Sequence, residues 1–227
     1  MKQLVKKIKI DATIKLITGL HIGGSKDNVE IGGIDNPVIK IMIDKGKPYI
    51  PGSSLKGKMR CLLEQTKGVK LGGSSIINDV YGYTDDKSIS KFIVRDAYLD
   101  DKSIELLDGC DNLDMPYTEN KYENTIDRYT GTTIKGGIRQ TERVPAGVSF
   151  KSEFIINVWK TEEYDDKKDE ERSLLMFKDA INALENDYLG GSGSRGYGQI
   201  KFEGWKYYEA SETSEWKMKE VADLISW

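Results

Sequence analysis

The sequence predicts an α+β fold with a ferredoxin-like (RRM-like) β-α-β-β-α-β core that carries large insertions. Residues 7–17, KIKIDATIKLI, alternate apolar and polar side chains, as a half-buried strand does. Later apolar residues recur at helical spacing, and without the insertions the order is strand, helix, strand, strand, helix, strand. We expect one domain over residues 1–227, because domains usually hold about 100–200 residues. The insertions fall at about 19–50, 100–135 and 161–171.

The first half of the chain supplies the first predicted helix. The segment 51–54, Pro-Gly-Ser-Ser, indicates a turn and an N-cap for a helix from Leu55 to about Gln65. Its apolar face contains Leu55, Met59, Leu62 and Leu63. The other elements predicted in this half are the strand at 7–17, a glycine-bearing loop at 19–36, a short strand at 37–43 with a turn at 44–47, a helical turn at 76–81 and a strand at 91–98.

The second half begins with residues rich in Asp, Asn and Gly, which predict an irregular insertion of about thirty residues after Tyr98. A polar stretch at 117–133 then leads into GGIRQTERVPAG, which predicts a hairpin. The other elements predicted here are a strand at 150–158, a solvated loop at 162–171, a helix from Leu174 that stops at Gly190-Gly191, a strand at 199–208 and a peripheral helix at 213–225.

The composition excludes several classes of protein. No apolar run approaches the ~18 residues that a membrane span needs, and the N-terminus lacks the apolar core of a signal peptide. Cys61 and Cys110 lie far apart without a CxxC motif, so the sequence encodes neither a disulfide framework nor a zinc site. We therefore expect a location in the reducing cytoplasm.

The net charge of −3 argues at first against a nucleic-acid partner, but the charge is unevenly distributed. Residues 1–60 carry 12 Lys and Arg against 5 Asp and Glu, and residues 128–160 carry 6 against 2. Because salt screens exposed charges beyond about 8 Å, a polyanion responds to local segments rather than to the total. The total charge therefore does not exclude a nucleic-acid partner.

Three short motif matches lack a residue or a structural context that the motif requires. The segment 52–58 matches GxxxxGK, but Met59 stands where a P-loop needs Ser or Thr to hold magnesium. The segment 191–196 matches GxGxxG, but it follows a helix and precedes a strand, the reverse of a dinucleotide-binding fold. Ser53 and Lys56 match a penicillin-binding signature, but the chain has neither SDN nor KTG. None of the three is retained.

Two segments suit phosphate. Ser53 and Ser54 at a helix start offer backbone N–H groups to an anion, and three cations follow: Lys56, Lys58 and Arg60. The alternative is a solvated helix face. In GGSGSRGYG, 190–198, the glycines from Gly191 to Gly193 let backbone amides approach a phosphate, Arg195 can grip it, and Tyr197 can stack on a base. The alternative is a flexible turn between helix and strand.

His21 and Asp35 each allow two interpretations. His21 lies in a glycine loop, where it can stack, donate to a phosphate or act as an acid or base; a purely structural hydrogen bond is the alternative. Asp35, before Asn36-Pro37, suits the cap of a turn; the alternative is a ligand for a divalent metal or for a ribose hydroxyl. From the residues alone, both questions stay open.

Six sequence blocks together resemble a known family. In chain order they are GLHIGG, GGIDNPVIK, IPGSSLKGKMR, YTENKYENTIDRYTG, IRQTERVPAGVSF and LENDYLGGSGSRGYGQIKF. They are similar to the RAMP proteins of CRISPR systems, and most similar to the backbone subunits of the type III-A effector complex. The blocks extend from residue 19 to residue 202, and residues 100–115, 162–171 and the C-terminus lie outside them.

The resemblance implies a subunit that binds a guide RNA and cleaves the paired target RNA at regular intervals. It assigns catalysis to Asp35 with a divalent metal, for which Mg²⁺ is the expected ion, and makes the 2′-hydroxyl next to the scissile phosphate the nucleophile. Asp127 and Glu142 are secondary candidates for metal ligands. The RNA-binding positions implied in the core are His21, Ser53, Ser54, Lys56, Lys58, Arg60, Gly193, Arg195 and Tyr197.

The resemblance also implies further partners and a thumb-like hairpin. Arg128, Arg139 and Arg143 fall on that hairpin, which would wedge between bases. The expected partners are the guide RNA, the target RNA, copies of the same chain along the guide, and the large polymerase-like, small and end-capping RAMP subunits, with no membrane. The alternatives are a non-catalytic RNA scaffold and a metal-independent ribonuclease for precursor RNA that uses His21.

Overall fold

A seven-stranded sheet forms the centre of the protein, and every named strand pair in it is antiparallel. The structure is a computed structural model that describes residues 2–24, 36–44, 46–85, 88–113, 115–160 and 165–227. The strands are β1 (Gln3–Leu16), β2 (Tyr49–Ile50), β3 (Phe92–Val94), β4 (Ala97–Leu99), β5 (Glu119–Ile126), β6 (Thr133–Arg143), β7 (Ser149–Lys160), β8 (Ile200–Ser211) and β9 (Lys219–Val221). The helices are α1 (Gly52–Thr66), α2 (Ser75–Tyr81), α3 (Asp101–Asp108) and α4 (Asp166–Glu185).

Strand β1 is central, between β7 and β8. The order across the sheet is β2-β4-β7-β1-β8-β9, and β3 also pairs with β7. In β1 the predicted alternation is confirmed, because the side chains of Ile8, Ile10 and Ile14 are fully buried. Ile10 lies opposite Phe154 of β7 and Tyr207 of β8, so one face of the sheet is continuous across the three strands.

Helices α1 and α4 pack against each other and cover the apolar face of this sheet. Leu55 and Met59 of α1 and Phe177 of α4 are at most 2% exposed. Each such side chain contributes about 1.5–3 kcal/mol by its burial. The start of α1 is held by Asp96, whose carboxylate accepts a hydrogen bond from Gly52 N at 2.7 Å.

A buried ionic cluster ties α2 and α4 to the sheet. Lys91 Nζ lies 2.6 Å from both Asp79 Oδ2 and Asp169 Oδ1, and Arg172 pairs with the same two carboxylates. The other oxygen of Asp169 accepts a hydrogen bond from Trp159 N at 2.9 Å. Burial by itself raises the pKa of the Asp79 carboxyl, but its ion pairs with Lys91 and Arg172 outweigh this effect and lower the pKa below its ordinary value.

The strands β5 and β6 form a hairpin that is a separate two-stranded sheet; GGIRQTERVPAG supplies part of its second strand, and the polar stretch 117–133 supplies the first. Paired residues share a face, so Tyr122 lies beside Gln140, and Glu123 beside Arg139 on the opposite face. The side chains of Tyr122 and Ile138 are each 62% exposed. One face of the hairpin therefore exposes Tyr122 and Ile138, and the other carries the charged side chains of Glu123 and Arg139.

Several predicted elements differ from the observed ones. The N-cap of α1 is Pro51, which lies in the predicted segment but makes no side-chain cap hydrogen bond, and the helix begins at Gly52 rather than at Leu55. The segment predicted as a strand at 37–43 makes only isolated bridges at Asn36, Val38 and Lys40. The strand predicted at 91–98 is interrupted between β3 and β4, where Arg95 N bonds to Glu153 O.

Three predictions about the insertions and the C-terminus were wrong in type. The irregular insertion contains α3, which begins at the N-cap Asp100. Residues 166–171 of the predicted acidic loop are instead the first turns of α4. The N-cap Asp165 accepts a hydrogen bond from Lys168 N, and acidic residues interact favourably with the positive end of the helix dipole. At the other end, α4 stops at Glu185 rather than at the glycines. The predicted C-terminal helix is replaced by a short 3₁₀ turn and β9.

Candidate functional site

Three segments that are far apart in sequence meet at one end of β1. The segment after β1, Gly19–Gly24, pairs with the residues after β6, because Leu20 and Val144 exchange backbone hydrogen bonds of 2.9 and 2.8 Å. The glycine loop 190–198 contacts the same segment, with Gly198 N bonded to Gly19 O and Gly191 N bonded to His21 O. The structure therefore joins two of the predicted RNA-binding segments to the base of the hairpin.

His21 lies at the centre of this junction. Its Nδ1 is 2.7 Å from the backbone oxygen of Glu142 in β6. The glycine loop lies so close that a Cβ on Gly190 would be 2.3 Å from His21 O. His21 therefore contacts the hairpin base through its imidazole and the glycine loop through its backbone oxygen.

The carboxylate of Glu142 is a structural anchor. It is buried, accepts hydrogen bonds from Val38 N at 2.8 Å and Thr118 Oγ1 at 2.6 Å, and pairs with Lys40 Nζ. The backbone N–H of Glu142 donates to Asn36 O. Because both carboxylate oxygens are engaged by the protein, Glu142 does not fit the role of a metal ligand.

A second ionic group holds the hairpin against the glycine loop. Tyr197 donates a hydrogen bond to Glu123 Oε1 at 3.0 Å, and the side chains of Lys121 and Arg143 lie 4.4 and 5.1 Å from its ring centre. Arg143 also pairs with Glu119. Burial first, and then the hydrogen bond to Glu123, raise the pKa of Tyr197 to about 12. The Tyr197 ring is 1% exposed, so no face of it is open to a base in this conformation.

Arg195 and Gly193 lie on the accessible side of the glycine loop. Arg195 is exposed, donates to Ser192 Oγ at 2.7 Å and lies 3.4 Å from Glu123. A Cβ on Gly193 would be 2.0 Å from the ring of Tyr188, so only glycine allows this approach. Lys58 of α1 lies over the same ring at 3.8 Å and pairs with Asp187 at 2.9 Å. Lys58 thus joins α1 to the glycine loop.

The other two cations of α1 point to a different neighbour. Lys56 Nζ donates to Ser90 Oγ and to the backbone oxygen of Phe92, at 2.6 and 2.8 Å. Burial, and then the nearby charge of Arg60, lower the pKa of Lys56. Arg60 donates to Glu64 and Asn78 side chains and to a backbone oxygen. Lys56 and Arg60 are four residues apart in α1, and both already have protein partners.

The serines at the start of α1 have different exposure. Ser53 is exposed, whereas Ser54 is half-buried. They lie in the first turn of the helix, whose first backbone N–H groups lack intrahelical acceptors. An anion-binding role for them stays a prediction.

The hairpin carries the remaining predicted cations. Arg128 and Arg139 are exposed, and Tyr129 at the turn is fully exposed. Asp127 shapes this turn by accepting hydrogen bonds from the backbone N–H groups of Tyr129 and Thr130 at 2.8 and 2.9 Å. The bond from Thr130, followed by that from Tyr129, lowers the pKa of Asp127. Asp127 therefore acts as a turn residue far from the junction.

Asp35 and the rest of 25–35 lie outside the described residues. The flanks of this segment are fixed, because Gly24 N bonds to Pro37 O at 3.0 Å. Within the part of the chain that the structure describes, no group of three or more His, Cys, Asp or Glu side chains could hold a metal ion. These residues alone do not form a metal site. The structure also contains, over the same residues, no helix of the length and apolarity that a bilayer requires.

Sequence reasoning missed two parts of this site. It did not find the pairing of Glu119 with Arg143 or the contact of Lys121 with Tyr197. The alternating charges of β5, ENKYENTI, were the available signal, because they place Glu119, Lys121 and Glu123 on one face.

The fold and the site define the chain as a sheet-centred α+β protein with a glycine-rich junction beside a two-stranded hairpin, and cations of the junction pair with neighbouring carboxylates. The sequence profile of the RAMP superfamily matches residues 13–201. A relative named CRISPR system Cms endoribonuclease Csm3 from Methanocaldococcus jannaschii is 43% identical and covers 96% of this chain and 90% of its own length. The protein of the same name from Streptococcus thermophilus is also 43% identical, over 87% of both chains.

A solved structure is also similar to this chain. It is the crystal structure of the Csm3-Csm4 subcomplex of the type III-A CRISPR-Cas interference complex, which matches with a TM-score of 0.59 and 30% identity over 96% of this chain and 89% of that chain. The chain therefore belongs to the RAMP superfamily, and within it to the Csm3 proteins.

Proposed function

We propose that this chain is the backbone subunit of a type III-A CRISPR effector complex, where it binds a guide RNA and cleaves the complementary target RNA. The observation that carries the proposal is near full-length similarity, in both directions, to proteins named as Csm3 endoribonucleases. The junction of the glycine loop, the Gly19–Gly24 segment and the hairpin supports it, since the exposed cations Arg195 and Arg139 beside this junction suit a phosphate chain.

The strand order supports a ferredoxin-like core in a single RAMP domain spanning 1–227. Strands β8, β1, β7 and β3 lie side by side and antiparallel. Along the chain, α1 connects β1 to the β3 region, and α4 connects β7 to β8. This order supports the proposed β-α-β-β-α-β pattern with insertions.

We assign guide binding to the junction and to α1. Arg195 and Arg139 are exposed and can contact phosphates directly. His21 and Lys58 lie at the glycine loop. Lys56 and Arg60 would contribute positive charge from positions that their protein partners hold in place.

Cleavage is assigned to Asp35, which we propose as the catalytic residue and as the protein ligand of a divalent metal, Mg²⁺. When bound, the ion would stabilise charge on the scissile phosphate. The described residues contribute positioning: Glu142 fixes the segment that begins at Asn36, and the hairpin offers its exposed side chains as a wedge between bases. The ribose 2′-hydroxyl would be the nucleophile, so DNA would resist.

The proposed partners follow from the same assignment. They are the guide and target RNAs, copies of this chain along the guide, end-capping RAMP subunits, and the large polymerase-like and small subunits of the complex. The subcomplex of Csm3 with Csm4 supports contact with another subunit of the effector complex. Both cysteines are free, which is compatible with a cytoplasmic location.

The decisive experiment compares assembled complexes that contain wild type, Asp35→Ala or Asp44→Ala, with complementary RNA in millimolar Mg²⁺. Asp44 is a matched control, because it is an exposed aspartate in the same region and pairs with Lys47. We expect Asp35→Ala to abolish cleavage and to retain the guide, while Asp44→Ala cleaves normally.

Other outcomes would select an alternative. If Asp35→Ala also loses the guide, Asp35 has a structural role. If the wild-type complex leaves the target intact, the chain is a non-catalytic scaffold. If the isolated chain cleaves precursor RNA in EDTA and His21→Ala abolishes this cleavage, the chain is a metal-independent processing ribonuclease.

A further inference from the structure

The hydrogen bond of His21 determines which of its ring nitrogens carries the proton. Nδ1 lies 2.7 Å from the backbone oxygen of Glu142. A carbonyl oxygen only accepts hydrogen bonds, so Nδ1 must be the donor. In a neutral imidazole the other nitrogen, Nε2, then has a lone pair and accepts.

The protein holds this orientation of the ring. The acceptor belongs to β6, in a residue whose own N–H bonds to Asn36 O and whose carboxylate is buried among three donors. On the other side, the backbone oxygen of His21 accepts a hydrogen bond of 2.8 Å from Gly191 N. The ring and its backbone are therefore fixed from two directions, and Nε2 keeps a constant position.

Two glycines lie beside the edge of the ring that carries Nε2. The nearest heavy atom to a Cβ on Gly23 would be Nε2 itself, at 3.7 Å, and a Cβ on Gly191 would lie 3.4 Å from Cδ2 of the ring. Both positions are glycines, so no side chain from either residue covers this edge. Among the residues that the structure describes, Nε2 has no hydrogen-bond partner.

We propose that Nε2 of His21 accepts a hydrogen bond from a ribose 2′-hydroxyl of the bound RNA, and that His21 thereby makes the junction selective for RNA over DNA. An acceptor nitrogen does not suit a phosphate oxygen, which also only accepts, whereas a hydroxyl can donate to it. The 2′-hydroxyl is the group that lets a protein distinguish RNA from DNA. This inference rests on the proposed function, because it requires RNA at the junction.

The test measures binding of the full-length chain to one single-stranded sequence made with ribose or with 2′-fluoro sugars, at fixed salt. Fluorine removes the donor but keeps the RNA-like sugar conformation. We expect wild type to bind the 2′-fluoro strand roughly 3- to 10-fold more weakly, the loss of about one hydrogen bond.

Two substitutions separate the two nitrogens. His21→Asn places an amide nitrogen near the position of Nδ1, so it can still donate to Glu142 O, but it has no acceptor at Nε2. It should bind the ribose strand as weakly as wild type binds the 2′-fluoro strand, with no further loss on fluorination. Arg195→Ala is the control: it should weaken binding to both strands equally and keep the wild-type ratio.

Equal affinity of wild type for the two strands would overturn the inference while leaving RNA binding, and so the proposed function, intact. Full discrimination by a folded His21→Asn protein would also overturn it, since the selecting group would then lie elsewhere. Failure of wild type to bind either strand would contradict the proposed function, and the inference with it. Circular dichroism and the melting temperature check that the variants are folded.

Discussion

Removing the carboxylate of Glu142 should lower the free energy of unfolding, by an amount that follows from the number of buried donors that lose their acceptor. Glu142→Ala leaves three donors without their acceptor: Val38 N, Thr118 Oγ1 and Lys40 Nζ. Val38 is 5% exposed and Thr118 is fully buried, so neither donor can reach water. Each unsatisfied buried donor costs about 1–3 kcal/mol. The side chain of Lys40 is 29% exposed and can turn to solvent, so it adds little.

The expected loss for Glu142→Ala is therefore about 2–6 kcal/mol, the sum for the two buried donors. In a protein of this size it corresponds to a fall in melting temperature of roughly 4–24 °C. Glu142→Gln keeps one acceptor oxygen but turns an NH₂ group towards a donor, so we expect an intermediate loss of about 1–3 kcal/mol.

The assay is urea unfolding followed by tryptophan fluorescence, with Glu105→Ala as the matched control. Glu105 is an exposed carboxylate on α3, and its removal should change stability by at most about 0.5 kcal/mol. A loss below about 1 kcal/mol for Glu142→Ala would refute the reasoning, because the three donors would then have found other acceptors.

Two further predictions concern the core. Asp169→Asn should lower the stability by about 3–5 kcal/mol, because it leaves Lys91 in a buried site with one fewer carboxylate. Asp179→Asn, an exposed change on the same helix, should be nearly neutral. Equal effects of the two variants in thermal unfolding would contradict a stabilising role of the ionic cluster. Gly52→Ala should destabilise the protein by at least about 1–3 kcal/mol, because the new Cβ would lie 2.3 Å from Val94 O. The control is Gly57→Ala in the same helix, where no atom lies within 4 Å of the new Cβ and where we expect a gain of about 0.5–1 kcal/mol. A gain in stability from both substitutions would show that the backbone at Gly52 relaxes freely.

Hydrophobic periodicity predicted those strands and helices that bury the same face from one end to the other. Strand β1 alternates from Lys7 to Leu16 and was found, as was α1 from its apolar residues. The start of α4 was not, because a dense run of charges has the composition of a loop unless the cap at Asp165 is recognised. The C-terminal segment was missed because Glu215 and Trp216 have φ values of 53° and 59°, a left-handed conformation that ends a helix and that composition does not reveal.

The site was predictable by residue type but not by partner. The glycine loops and their cations stand out in the sequence, and the structure joins His21, Arg143 and Tyr197 at one junction. The burial of Tyr197 and the internal bonds of Lys56 could not be predicted, because both depend on contacts between segments far apart in sequence. Only the tertiary structure decides whether an aromatic ring or a cation faces a ligand or the protein itself.

The separate hairpin sheet also bears on how the chain avoids unwanted association. A two-stranded sheet with exposed isoleucines offers unpaired edges, which can recruit strands from other molecules and start aggregation. In β6 this hazard is reduced at Gly136, whose φ of 75° interrupts the extended backbone, and at Gly137, where a Cβ would lie 2.8 Å from Ile134 O. The two glycines therefore let the hairpin display apolar side chains without offering a long, straight edge to a neighbour.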